Sequence, residues 1–304
     1  MPRIPLPAHF VRAPFLVSDA DTAGIGRDRL RGPDVDAVWG VRSVPGRDES
    51  PQEALFRRCR MFALRMPPTA VFSHSTAALL MGVPLPFELE RARELHIAAP
   101  SPHRAPHAAG IRGHRLALRE QDLVVTRGIR HTSPARTWCD LASQLQLLDL
   151  VAAGDFLLHG NPALASPEEF SEMLDHFGSR RGAALLRQAE PLLDGRAESR
   201  PESKLRVIYH LGGLPEPRVN HVVVMTDAGP RVRTDLCFDF VRLYVEYQGD
   251  YHRTREQWRK DMTRRTRLEA QGGYVLEINA DDLRNEAELV ARTRALLVRL
   301  GWRP

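Results

Sequence analysis

The chain is short of cysteine and lysine and has no long apolar run. Its three cysteines, Cys59, Cys139 and Cys237, are far apart and form no Cys-x-x-Cys pair. That argues against a disulfide scaffold or a thiolate zinc site and fits a reducing compartment. No apolar stretch is long enough to span a bilayer, and the opening MPRIPLPAHF lacks a signal-peptide core, so a soluble cytoplasmic protein with no membrane partner is expected. No glycine-rich phosphate loop is present, and Ser73-His74-Ser75 has no nucleophile elbow, so Ser73 reads as a helix N-cap. His103, His107 and His114, in APSPHRAPHAAGIRGH, fit no compact ligand spacing and read as a mobile loop.

Lys204 and Lys260 are the only lysines; the rest of the 43 basic side chains are arginine, set against 38 acidic ones for a net charge of +5. Such an excess attracts polyanions only where it is locally concentrated. Arginine forks onto phosphates, although arginine richness also follows from high-GC coding. With 304 residues, 43% hydrophobic and 27% charged, the chain can bury more than one core, and two or three domains are expected in a multidomain α/β fold.

Proline- and glycine-bearing stretches suggest three segments. Residues 1–45 carry FLVSDADTAGIGRDRL, two short helices around Gly24 to Gly26, then an extended DAVWGVRSV, the outline of a small winged helix. Residues 46–195 read as an α/β platform ending in helices, with cap-and-proline starts at Ser133-Pro134 and Ser166-Pro167. Residues 196–304 change rhythm. A helix from about Pro201 to His210 is followed by three strand-like runs, VNHVVVM, RVRTDLCFDF and RLYVEYQG, with a turn at Asp227 to Pro230. A polar helix from about Thr254 to Gln271 ends at Gly272-Gly273, YVLEIN gives a fourth strand, and a helix from about Asn285 to Leu300 closes the order α-β-β-β-α-β-α.

Alternation in the second strand puts Val232, Thr234, Leu236, Phe238 and Phe240 on one face, so Asp235 points from the other. In the third strand Leu243, Val245 and Tyr247 share a face, and Glu246 and Gln248 emerge together opposite, about 7 Å apart along the strand. Pairing across the Phe240 to Arg242 turn makes Asp235 and Glu246 near neighbours. Two carboxylates about 4 Å apart repel by roughly 4 kcal/mol at an effective dielectric of about 20, and a hard cation relieves this. Mg²⁺ or Mn²⁺ suits such oxygen donors better than Zn²⁺, and Glu202 can supply a third carboxylate.

Glu202 in a leading helix, Asp235 in a strand and Glu246-x-Gln248 in the next resemble the PD-(D/E)XK nuclease core, whose succession is αβββαβ. The continuation VEYQGDYHR…QWRKDMTRRTRLEAQGGYVLEINADDL is similar to a bacterial, Vsr-like branch related to the very-short-patch-repair endonucleases. The resemblance covers about 196 to 304. It implies a restriction-endonuclease-like fold and a metal held by Asp235 and Glu246, with Glu202 joining directly or through water. The implied activity is hydrolysis of DNA phosphodiester bonds by a metal-lowered water pKa and stabilised phosphoryl charge. The commonest family pattern has Lys at the position of Gln248; Gln can still hydrogen-bond water, and His252 is a candidate substitute that could shuttle a proton or bind phosphate. Between Tyr251 and Arg267 seven basic residues, Arg253, Arg255, Arg259, Lys260, Arg264, Arg265 and Arg267, face only Glu256 and Asp261, a helix suited to a nucleic-acid backbone.

In the first two thirds, VFSHSTAALLMGVPLP with GIRHTSPARTWCDLA is similar to the body of AbiEi-type antitoxin proteins, and residues about 15 to 45 to a shortened winged helix. That likeness implies DNA binding by 15–45, with the helix around Arg27 to Arg31 approaching a groove, and a partner in a toxin–antitoxin or defence system. Two further readings stay open: a non-catalytic DNA-binding regulator with a degenerate nuclease fold, kept in play by Gln248, and a protein-interaction module that never touches nucleic acid.

Overall fold

The computed structural model describes residues 5–224, 231–249 and 255–303, with the side chains of 255–258, 260 and 261 outside the description. The protein is a mixed α/β chain that divides into two compact units, Met1–Gln144 and Leu145–Pro304. The expected turn at Asp227 to Pro230 lies outside the described residues. No helix of the described residues is long and apolar enough to cross a membrane.

The first unit opens with α1 (Ala8–Arg12), β1 (Phe15–Leu16), α2 (Val17–Thr22) and the hairpin β2 (Asp36–Val38) and β3 (Val41–Ser43), in a sheet ordered β1-β3-β2. Trp39 and Gly40, both at positive φ (45° and 75°), make the two-residue turn that a hairpin favours. The helix expected around Arg27 to Arg31 does not form. Only a 3₁₀ turn over Arg29–Arg31 is present, and Arg29 is forked onto Asp34 at 2.8 and 3.2 Å instead of projecting toward a groove. The glycines at 24 and 26 explain this, since they lower helix stability just where the helix must start.

Helix α3 (Pro51–Ala63) follows a full capping box between Ser50 and Glu53. A five-stranded sheet ordered β6-β5-β4-β8-β7 is then built from β4 (Val71–Phe72), β5 (Leu95–Pro100), β6 (Ile111–Leu116), β7 (Leu123–Thr126) and β8 (Ile129–Thr132). Helices α4 (His74–Leu80), α5 (Phe87–Glu90) and α6 (Pro134–Leu141) complete the unit, α6 starting at Ser133-Pro134 as the sequence predicts. Phe56, Phe62, Phe72, Leu95, Ile97 and Ile129 form its core. His114 lies in β6 rather than in the loop before it. At its neighbour Gly113 a Cβ would come within 1.8 Å of the Pro106 carbonyl oxygen, so the preceding loop runs against a strand that only glycine lets it approach.

The second unit begins with α7 (Leu147–Leu158), α8 (Pro167–Phe177), α9 (Ala183–Ala189) and α10 (Arg200–Leu211). Strands β9 (Arg218–Val224), β10 (Arg231–Phe238) and β11 (Leu243–Tyr247) pair antiparallel; after α11 (Arg255–Ala270), β12 (Tyr274–Ile278) joins parallel to β11, giving the order β12-β11-β10-β9. Helices α12 (Ala280–Arg284) and α13 (Glu286–Arg299) end the chain. The order from α10 onward is the one read from the sequence, with α12 added.

Helix α7 is buried around nearly its whole circumference and packs on α10, with Asp149 bonded to Arg200 and Lys204 and Asp155 to Arg206. An apolar-all-round helix needs cover on every side, which places 145–195 with the C-terminal sheet instead of with the platform before it. Leu205, Ile208, Tyr209, Leu236, Phe238, Leu243 and Val245 form the main core. Val232 leaves the face expected of it and joins Cys237, Tyr244 and Leu268 in a second cluster.

Candidate functional site

Helix α10 is launched by Ser199, whose hydroxyl accepts from the Glu202 backbone N–H, with Pro201 in the first turn. Glu202 turns back over this cap. Its carboxylate accepts from Ser199 Oγ (2.7 Å), the Glu198 N–H (3.0 Å) and Asn220 Nδ2 (3.0 Å). Asn220 takes positive φ (48°) in β9, and the ladder skips the pair it would make with Asp235, running from Thr234–His221 to Leu236–Val219. Asp235 thus sits at an interruption of the sheet, beside the residue that holds Glu202.

Leu236 is paired with Val245, so the next positions outward, Asp235 and Glu246, oppose each other. Asp235 Oδ2 accepts from the Tyr247 N–H at 2.8 Å. Burial first, and then the charge of Glu202, push the Asp235 carboxyl above its ordinary range, against the opposing pull of the Tyr247 N–H, Arg264 and Arg233. Glu246 is buried and ion-paired with Arg264. Gln248 donates from Nε2 to Glu277 at 3.2 Å, on β12.

Arg231, Arg233, Arg259, Arg264 and Arg267 line a cleft of about 500 Å³ with Asp235. Arg259, Arg264 and Arg267 come from the basic helix read in the sequence, while Arg231 and Arg233, from β10, add to it. His252 and Arg253 lie outside the described residues, as do the side chains of Arg255 and Lys260. Arg265 is occupied by Glu269 and Glu277.

Glu202, Asp235 and Glu246 are not among the described groups whose ligand atoms all lie within 4.8 Å of one another. Arg264 draws Glu246 toward α11 while Ser199 and Asn220 hold Glu202 over its helix. The groups that do meet this distance are His221, Cys237 and Asp239, and His74, His96 and His114. In the first, burial pushes the Cys237 thiol up to about 12 and Asp239 is engaged by Arg218. In the second, Ser73 does not cap α4; its hydroxyl is 2.9 Å from His74 Nδ1.

Compared with known proteins, the chain is 30% identical over 225 residues to the uncharacterized protein Rv2248 of Mycobacterium tuberculosis strain H37Rv, a match spanning 73% of this chain and 79% of that one. The uncharacterized protein MT2308 of strain CDC 1551 matches with the same figures. The chain belongs to their family. No family model matches this sequence, and no solved structure does.

Two parts of these sites escaped sequence reasoning. Asn220 could have been noticed as a residue tolerant of positive φ inside a valine-rich strand. The histidine group could not, because its members lie 22 and 18 residues apart along the chain and meet only through the β4-β5-β6 pairing.

Proposed function

We propose that the second unit is a divalent-metal-dependent endonuclease that hydrolyses phosphodiester bonds of DNA, in the manner of the PD-(D/E)XK nucleases and their Vsr-like branch. The observation that carries this reading is the half-buried Asp235, within electrostatic reach of Glu202, in a cleft lined by five arginines. Hard carboxylate oxygens fit Mg²⁺ or Mn²⁺, and a cation there would stabilise the Asp235 carboxylate against the burial and the Glu202 charge that push its pKa up. Asp235 and Glu246 would hold it, with Glu202 alongside; when bound, it supplies an acidified water and stabilises charge on the phosphoryl oxygens. The arginines bind and orient the phosphate backbone, the Tyr247 N–H fixes the rotamer of Asp235, and Asn220 with Ser199 holds Glu202 over the start of α10. Three free, buried cysteines suit a cytoplasmic setting. The antitoxin-like first unit fits a DNA-targeting role or a defence-system partner.

A second reading, a non-catalytic DNA-binding regulator, is favoured by one observation: Arg264 occupies the Glu246 carboxylate. Full-length protein incubated with plasmid and linear DNA in Mg²⁺, Mn²⁺ or chelator, beside Asp235→Asn and Glu246→Ala, separates the two. Metal-dependent cleavage lost in both variants supports the nuclease. Cleavage that survives in both removes the site assignment, and salt-sensitive DNA retention without cleavage supports the regulator.

A further inference from the structure

The first unit holds a group of side chains that the nuclease reading does not use. His74 stands at the turn from β4 into α4, His96 lies in β5 and His114 in β6. Strands β5 and β6 are parallel, with His96 opposite Arg112 and Ala98 opposite His114, so the two histidines share a face one pleat apart. His96 Nδ1 and His114 Nε2 are 3.0 Å apart, and the rings of His74 and His114 stack with centroids 3.8 Å apart. His74 and His96 are each 5% exposed, and His114 is half-buried.

His74 holds its place with a backbone φ of 51°, a conformation that costs a residue with a Cβ about 1–3 kcal/mol and persists where the surroundings over-determine it. Its Nδ1 is engaged by Ser73 Oγ, which leaves Nε2 as the outward nitrogen. The Gln144 side chain closes the far side of His96, with Nε2 of the amide 3.3 Å from His96 Nε2 and its oxygen accepting from the Ser75 N–H. At His74 the Ser73 hydroxyl can accept from Nδ1–H, the arrangement that orients a histidine ligand; at His96 the Gln144 amide nitrogen faces Nε2 as a donor, so metal binding at Nδ1 requires that amide to turn.

From this geometry we propose that His74, His96 and His114 form a binding site for one divalent transition-metal ion, zinc by preference. One nitrogen from each ring lies within 4.8 Å of the others. Two nitrogens bound about 2.0–2.1 Å from a tetrahedral zinc stand about 3.3 Å apart, close to the separation of His96 and His114. Nitrogen donors select zinc over Mg²⁺, the reverse of the carboxylate cleft. Stacked rings send their lone pairs in nearly parallel directions, so binding turns one of them about its Cβ–Cγ bond, a soft torsion. With three protein nitrogens, the fourth zinc position falls to water or a small ligand.

The test uses full-length protein stripped with chelator and dialysed, then titrated with zinc against a chromophoric competitor and, separately, with Co²⁺ read by visible absorption. One equivalent of zinc and Co²⁺ bands of tetrahedral intensity are expected. His114→Ala, at the most exposed of the three positions, should weaken zinc by at least about 100-fold, and His103→Ala with His107→Ala should leave it unchanged. Failure of the wild type to bind zinc stoichiometrically overturns the site, whether or not the His114 variant folds. Equal affinity in a folded His114→Ala protein overturns it too.

Discussion

The two units each carry three potential ligand side chains on separate elements, with opposite chemistry: the imidazoles of the first converge, and the carboxylates of the second are drawn apart by their own partners. In the C-terminal unit the donors are carboxylates at the edge of an arginine-lined cleft, each held by a hydrogen bond or an ion pair. In the N-terminal unit they are imidazoles packed against one another behind a strained turn. The carboxylates have arginines close by, while burial keeps the imidazoles toward the neutral form. If both proposals hold, one chain presents a hard-ion site and a borderline-ion site without either competing for the other's metal.

Cross-testing the sites is the strongest way to break this contrast. Asp235→Asn should lower DNA cleavage by about 10²–10³-fold or more while leaving zinc stoichiometry at one, and His114→Ala should do the reverse; plasmid nicking and metal analysis on the same preparations check both. Next in size are the two cores. Leu236→Ala and Ile97→Ala, both at buried positions, should each cost about 2–5 kcal/mol, and calorimetry should show each lowering the transition of its own unit.

Acid should separate the units in sign. Burial, followed by neighbouring positive charge, holds His74 down at about 2 and His96 and His114 at about 4. Without metal, the unfolded chain binds more protons below its ordinary histidine pKa of 6.5, so the first unit loses stability as pH falls toward 4. Asp155 is pushed up from 3.8 to about 6, chiefly by burial and in spite of Arg206. Between those values the folded state binds the extra proton, and this group's contribution makes the second unit more stable as pH falls. Chelator-treated protein unfolded by urea from pH 4 to 7 should show the first unit's slope lessened in His114→Ala and the second's in Asp155→Asn. The smallest effect concerns Gln144. Replacing it with Glu keeps an acceptor for the Ser75 N–H and gives the His96 Nε2–H a carboxylate, which should tighten zinc about 10-fold in the competitor titration.

Much of the second unit was legible because local signals agree with one another. Ser199 and Pro201 start α10, the glycines at 272 and 273 end α11, and Leu236, Phe238, Leu243 and Val245 enter the core from the faces their alternation assigns. The opposition of Asp235 and Glu246 followed from that alternation. What did not follow was the role of Arg264, a long side chain whose reach is set by how α11 packs, or the departure of Val232 at a strand interrupted by Asn220. In the first unit the capping box at Ser50 and the Ser133-Pro134 start were readable, but the His74 cluster depends on strand order, which short strands leave open.

The Asp155–Arg206 pair says where the chain can be cut. Arg206 is buried and gives Nη2 to Asp155 at 3.1 Å and to the Leu192 carbonyl at 2.5 Å. A fragment beginning at the GRAESRPES stretch would discard both acceptors together with helix α7, leaving Arg206 without its ion pair and the face of α10 that α7 covers in water. One beginning at Leu145 would keep them, and soluble expression should follow that difference.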